Sequence, residues 1–140
     1  GAMAVPEQTI AAVVAEASER MHDPQFISSR VDLFMGAQPM ASQYVLSHAD
    51  ELEVEGVVTV LFHAALIGES AARAGGRTLE PVSIEALDAA ARAAPTPEQL
   101  AEREPDLAAY IASNVELERS TQLARELLSH LALALVDSGR

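Results

Sequence analysis

The sequence predicts an all-α protein, a helical bundle of about five to seven helices folded as one domain. Three observations indicate this class. Apolar residues recur at intervals of three and four along most of the chain, which is the spacing of one helix face. Alanine, the strongest helix former, supplies 27 of the 140 residues. Proline, serine and glycine stand where these apolar stripes start and stop.

The most apolar run covers residues 57–74 and predicts a mostly buried central helix. Its polar side chains form one narrow strip, made of Thr59, His63, Ser70 and Arg73. Because the rest of the circumference is apolar, we expect the other helices to surround this one. Gly68 in its interior costs about 1 kcal/mol relative to alanine, which suggests that a neighbouring helix crosses closely there.

Three helices are predicted before the central one, over residues 6–21, 24–36 and 39–52. A proline at the start of each is favourable, since its missing N–H would have no partner in the first turn. We expect Gly36 to end the second helix in the left-handed conformation. After the central helix, residues 77–82 are predicted to form a loop, followed by a helix over 84–94 capped by Ser83.

The pattern Thr96-Pro97-Glu98-Gln99 predicts a capping box that opens a brief helix. The last element is predicted as one long helix over residues 106–136, because apolar positions continue in heptad spacing. A helix of that length would span roughly 45 Å, more than the short helices would cover. Part of it must therefore pack across two layers of helices or against a second copy of the chain. We expect the second copy, as a homodimer through the seam formed by Asn114, Leu117, Leu128, Leu131 and Leu135.

The charge of the chain indicates which classes of partner it favours and disfavours. The net charge is −12, and the nine basic side chains are all scattered arginines. Such a surface repels phosphate backbones and anionic lipids, so we predict neither nucleic-acid nor membrane binding. It would suit a basic protein partner. The arginine and alanine usage is typical of a GC-rich bacterial genome.

Several segments bear on location and processing. The chain has no cysteine, which excludes disulfides and thiolate chemistry. No signal peptide is visible, and the apolar run over residues 57–68 is too short to span a bilayer, so a cytoplasmic location is expected. The opening Gly1-Ala2-Met3 resembles a remnant of tag removal with Met3 as the native start, which leaves residues 4–140 as the domain.

No catalytic motif, cofactor motif or metal-ligand set stands out, and the preferred prediction is a non-enzymatic interaction or regulatory module. Glu126 and His130 share a helix face, but they are equally a surface pair near the C-terminus, where the helix dipole favours histidine. The alternative is a small-ligand or metal-binding protein, and an enzyme is not excluded. It would use a cavity beside the central helix, lined by His63, Tyr44, His48 and Glu69. A lone buried histidine such as His63 is more often a hydrogen-bonded core residue than a ligand.

Overall fold

The structure, a computed structural model, describes residues 3–138 and confirms the all-α fold. Within this range the chain forms eight helices, one more than the upper limit of the prediction. In chain order they are α1 (Glu7–Arg20), α2 (Phe26–Ala37), α3 (Pro39–Leu46), α4 (Ala49–Gly75), α5 (Ile84–Ala93), α6 (Pro97–Leu100), α7 (Pro105–Asn114) and α8 (Thr121–Ser138). Gly1 and Ala2 of the expected tag remnant lie outside the described residues.

Two helices organise the bundle, α4 and α8, and they pack against each other. α1, α2 and α3 pack on α4, whereas α5, α6 and α7 pack on α8. The central position of α4 was predicted from its apolar circumference and is confirmed. The second centre was not predicted, because the sequence pattern of α8 was assigned to a dimer seam.

α4 is longer than predicted, because it begins at Ala49 and not near residue 57. By length and composition it is the one helix among residues 3–138 that could cross a membrane. More than half of its apolar window is buried inside the bundle, as in the core helix of a soluble protein, so this is weak evidence for a span. The cytoplasmic location stays a prediction.

The boundaries around α3 differ from the prediction. The helix expected over residues 39–52 ends at Leu46, and Ser47 and His48 separate it from α4. A kink follows at Glu53, whose φ of 63° and ψ of 177° are not helical. Gly36 was expected to end α2 in the left-handed conformation, but it stays helical and α2 continues to Ala37.

The helix predicted over residues 106–136 is broken, so that prediction is wrong in its extent. A long helix does close the chain, but it begins at Thr121, and residues 115–120 are not helical. The Thr121 hydroxyl accepts from the Leu117 amide (2.9 Å), and Arg125 donates to the Val115 carbonyl (2.9 Å). These side chains satisfy backbone groups that would otherwise have no partners at the break. The helix can therefore be interrupted at residues 115–120.

The segment between α4 and α5 is fixed by a single buried side chain. Gly76 ends α4 in the left-handed region with a φ of 69°. The Gln38 amide then donates to the Glu80 carbonyl (3.0 Å) and accepts from the Val82 amide (2.8 Å). The predicted Ser83 cap is confirmed, since its hydroxyl accepts from the Ala86 amide (3.1 Å). This loop forms one wall of the cavity described next.

Candidate functional site

An apolar cavity of about 340 Å³ lies beside the second half of α4. We call it the α4 cavity. Its walls come from α2, α4, α8 and the loop after α4, and its lining residues are Arg30, Leu33, Phe34, Ala37, Gln38, Ala65, Gly68, Glu69, Thr78, Leu79 and Leu135. Of the four residues predicted to line a cavity beside the central helix, Glu69 is the one found here.

Gly68 leaves the wall of this cavity open. A Cβ placed on Gly68 would lie 3.7 Å from Leu79 Cδ1 and 3.9 Å from Leu135 Cδ1, which are ordinary van der Waals distances. The close helix crossing expected at Gly68 is therefore wrong, because no backbone atom of a neighbour approaches it within 4 Å. The missing side chain enlarges the cavity instead of admitting another helix.

The rim of the α4 cavity carries a network of charged groups. Arg73 donates to both carboxylate oxygens of Glu16 (2.7 and 2.8 Å) and to Glu69 Oε1 (2.9 Å). This network joins α1 to α4 across the surface. The hydrogen bonds from Arg73 lower the pKa of Glu16, and the carboxylates raise the pKa of Arg73.

Arg30 is held less firmly than Arg73. Its Nη2 lies 3.8 Å from Glu69 Oε2, beyond hydrogen-bond distance, and its side chain is 29% exposed. Its guanidinium also lies 5.7 Å from the centre of the Phe26 ring. No hydrogen bond from the Arg30 guanidinium is found within residues 3–138. The cavity thus has a cationic group on its rim that forms an ion pair with Glu69 but makes no hydrogen bond within the described residues.

His63, which was predicted to be a cavity residue, belongs to a separate pair. Its Nδ1 lies 2.6 Å from the Tyr110 hydroxyl on α7, and Tyr110 is buried while His63 is partly buried. Burial lowers the pKa of His63 and raises that of Tyr110, so both groups are held neutral. This is the hydrogen-bonded core histidine considered above, and its partner is Tyr110.

Tyr44 and His48 lie beside His130 and do not line the α4 cavity. The Tyr44 hydroxyl lies 2.7 Å from His130 Nδ1, and His130 Nε2 donates to the Pro95 carbonyl (3.1 Å). Because a carbonyl can only accept, the neutral His130 ring carries its proton on Nε2, and Tyr44 donates to Nδ1. Burial lowers the pKa of His130 and raises that of Tyr44. The pair therefore joins α3 to α8.

His48 is the third ring of this aromatic group, and its Nδ1 has no hydrogen-bond partner among the described residues. This Nδ1 is buried, with Glu51 Oε1 at 3.5 Å. Glu126, which shares a helix face with His130, accepts a hydrogen bond from Gln122 (2.9 Å).

Between residues 3 and 138, no three histidine or carboxylate side chains lie close enough together to bind a metal ion.

The residues predicted to form a dimer seam are placed differently from one another. Leu128, Leu131 and Leu135 are buried in the chain's own core. Leu117 is partly buried against that core, and Asn114 donates to the Tyr110 carbonyl (2.9 Å) at the end of α7. The apolar surface that led us to expect a homodimer is thus covered within one chain.

Two further cavities are more polar than the α4 cavity. One, also of about 340 Å³, lies between α1 and α7, with Glu7 and Asp106 among its lining residues. The other, of about 200 Å³, lies at the α4 kink and is lined by three carboxylates and Arg119. The α4 cavity has a less polar lining than either, although the cavity between α1 and α7 also includes the aliphatic side chains of Ile10 and Val14. No family model, curated protein or solved structure matches this chain.

Proposed function

We propose that this protein binds a small, largely apolar molecule in the α4 cavity. The observation that carries the proposal is an aliphatic cavity that a helix glycine leaves open. Its volume of about 340 Å³ falls at the lower end of the roughly 300–1,000 Å³ of small-molecule pockets. Its two charged groups, Arg30 and Glu69, lie on the rim, where they can orient a ligand without reducing the apolar contact.

Gly68 supports this reading energetically. Glycine inside a helix is about 1 kcal/mol less favourable than alanine, and the packing around Gly68 leaves room for a methyl group. Nothing in the packing among its neighbours requires a glycine. Apolar ligand surface buried there would contribute about 25 cal/mol per Å², before the cost of association.

Octan-1-ol is a suitable probe, because it has an aliphatic chain and no charge. We expect it to bind the wild-type protein, as measured by chemical-shift titration and by a rise in Tm. Gly68→Leu places a side chain into the α4 cavity and should abolish binding. Gly36→Leu is the matched control, since Gly36 is also within a helix but has open space around its Cβ position. Circular dichroism checks that both variants are folded.

Two results would contradict the proposal. One is the absence of any octan-1-ol binding by the folded wild-type protein at concentrations up to its solubility. The other is equal binding by Gly68→Leu and wild type, which would place the alcohol elsewhere on the molecule.

The interaction module preferred from sequence stays a prediction, as do the homodimer and the basic partner. The leucines Leu128, Leu131 and Leu135 no longer support the homodimer, because they are buried within the chain. Light scattering at tens of micromolar measures the oligomeric state directly. A mass of one chain, 14.8 kDa, would remove the homodimer from consideration.

A further inference from the structure

We infer that the molecule bound in the α4 cavity carries a carboxylate, which the Arg30 guanidinium binds. This inference rests on the proposed function and adds the chemical class of the ligand: a short amphipathic monocarboxylate. The apolar body would lie between Phe34, Ala65 and Leu79, with its head group at the rim.

Arg30 has the properties of a recognition group. It lines the cavity, and its approach to Glu69 Oε2, at 3.8 Å, is too long for a hydrogen bond. A guanidinium presents five N–H donors in a planar fork that fits a carboxylate with two parallel hydrogen bonds. Phe26 lies beside it at 5.7 Å and restricts its orientation. A ligand carboxylate would supply acceptors at hydrogen-bond distance, which Glu69, at 3.8 Å, does not.

The rim fits an amine less well. An ammonium group would have to use Glu69, whose Oε1 already accepts from Arg73 at 2.9 Å. Arg73 also holds Glu16 through two hydrogen bonds, so its position is fixed by α1 as well as α4. A ligand amine would therefore compete with an intramolecular cation, and it would also face the positive charge of Arg30.

The net charge of −12 opposes binding of an anion, so local and distant charges must be compared. Around the rim, Arg30 and Arg73 balance Glu16 and Glu69, which makes this group of charges neutral. The remaining carboxylates act from further away, and the Debye length of about 8 Å at physiological salt screens much of their repulsion. A direct, partly buried contact with Arg30 is screened less.

The test compares three probes with the same eight-carbon chain: octanoate, octan-1-ol and octylammonium. Titrations at neutral pH and physiological ionic strength, below the micellar range, give their dissociation constants. We expect octanoate to bind about tenfold more tightly than octan-1-ol, as a charge-assisted contact would give, and octylammonium most weakly.

Two arginine variants assign the effect to one residue. Arg30→Gln should remove the preference, so that octanoate and octan-1-ol bind this variant with similar dissociation constants, and Arg30→Lys should keep part of the preference. Arg20→Gln is the matched control, because Arg20 lies over the same Phe26 ring at 4.7 Å but does not line the cavity. It should leave all three dissociation constants unchanged.

The outcomes separate this inference from the proposed function. If octan-1-ol binds at the Gly68 wall and octanoate binds no more tightly, the carboxylate is overturned and the cavity function stands. The carboxylate is also overturned if the octanoate preference survives Arg30→Gln. If none of the three probes binds the folded protein, the proposed function fails, and the inference fails with it.

Discussion

Gly56 and Gly68 lie on the same helix, and the structure gives opposite reasons for them. A Cβ on Gly56 would stand 2.9 Å from Leu52 Cβ and 3.4 Å from Leu117 Cδ1, so glycine is sterically required there. A Cβ on Gly68 would meet only ordinary contacts, at 3.7 Å and beyond. The first glycine permits tight packing, and the second leaves a space. The same residue type thus marks a structural constraint at one end of α4 and a candidate binding site at the other.

The tight end of α4 depends on an unusual backbone. Glu53 has a φ of 63° and a ψ of 177°, a conformation that is almost confined to glycine. Ser120, with a φ of 62°, donates to the Glu51 carbonyl (2.7 Å) across from this kink. Contacts between the start of α4 and the α7–α8 connection therefore hold two strained residues in place.

The largest expected effect is that of Glu53→Gly, which should stabilise the protein by about 2 kcal/mol. Glycine adopts the observed dihedral angles without strain, and the lost contact with Arg119, at 3.9 Å on the surface, contributes little. Urea unfolding measures the change. Glu55→Gly, at an exposed helical position nearby, is the control and should cost about 1 kcal/mol.

Equal destabilisation by the two substitutions would mean that Glu53 is an ordinary helical residue. The contrast between a strained and an unstrained end of α4 would then disappear.

The next largest effect is expected for Gly56→Ala, which should lower the free energy of unfolding by about 1–2 kcal/mol. The atom in conflict, Leu52 Cβ, is attached directly to the backbone, so it cannot move without shifting the kink. Overpacking outweighs the gain in helix propensity for this reason. Gly36→Ala is the control, because nothing lies within 4 Å of its Cβ position, and it should be stabilising. A neutral or stabilising Gly56→Ala would show that the tight end can relax.

The sequence carried enough information to predict the fold class but not all of its boundaries. Amphipathic spacing, Ser83 and the Thr96 capping box identified most helices correctly. The break at residues 115–120 could not be predicted, because Leu117 and Thr121 keep the heptad spacing while side-chain hydrogen bonds from Thr121 and Arg125 satisfy the backbone of the break. The buried leucines of α8 show why a wide apolar surface did not by itself indicate a dimer: two layers of the same chain cover it.

The candidate site was predicted only in part. The alternative hypothesis placed a cavity beside the central helix with Glu69 among its lining residues, and the structure has a cavity there that Glu69 lines. His63 and Tyr44 lie away from this cavity, because the partners that fix them, Tyr110 and His130, come from helices distant in sequence. His48 lies beside Tyr44. Arg30 was missed, because nothing local distinguishes it from the other scattered arginines. Only its position on the cavity rim does so.

A smaller effect is expected for Gly68→Ala, which should stabilise the protein by about 0.5–1 kcal/mol through helix propensity alone. The methyl group also occupies part of the α4 cavity, so binding of octan-1-ol should weaken while stability rises. Urea unfolding measures the rise in stability, and titration of the same sample measures the loss of binding. Destabilisation by Gly68→Ala would instead assign Gly68 a packing role like that of Gly56.

The smallest expected effect concerns the packed middle of α4, between the two glycines. Burial lowers the pKa of His63 and of His130, so each imidazole takes up a proton more readily in the unfolded chain, near the ordinary pKa of about 6.5. The unfolded state then binds more protons, and the free energy of unfolding falls as the pH drops below about 6.5, until the folded histidines also titrate. Urea unfolding between about pH 7 and 5 should show this slope, which His63→Gln reduces. His22→Gln, which removes an exposed imidazole, is the matched control. If His22→Gln reduces the slope as much as His63→Gln does, the His63 imidazole behaves like an exposed one. The middle of α4 would then be open to water and would not be a packed region between Gly56 and Gly68.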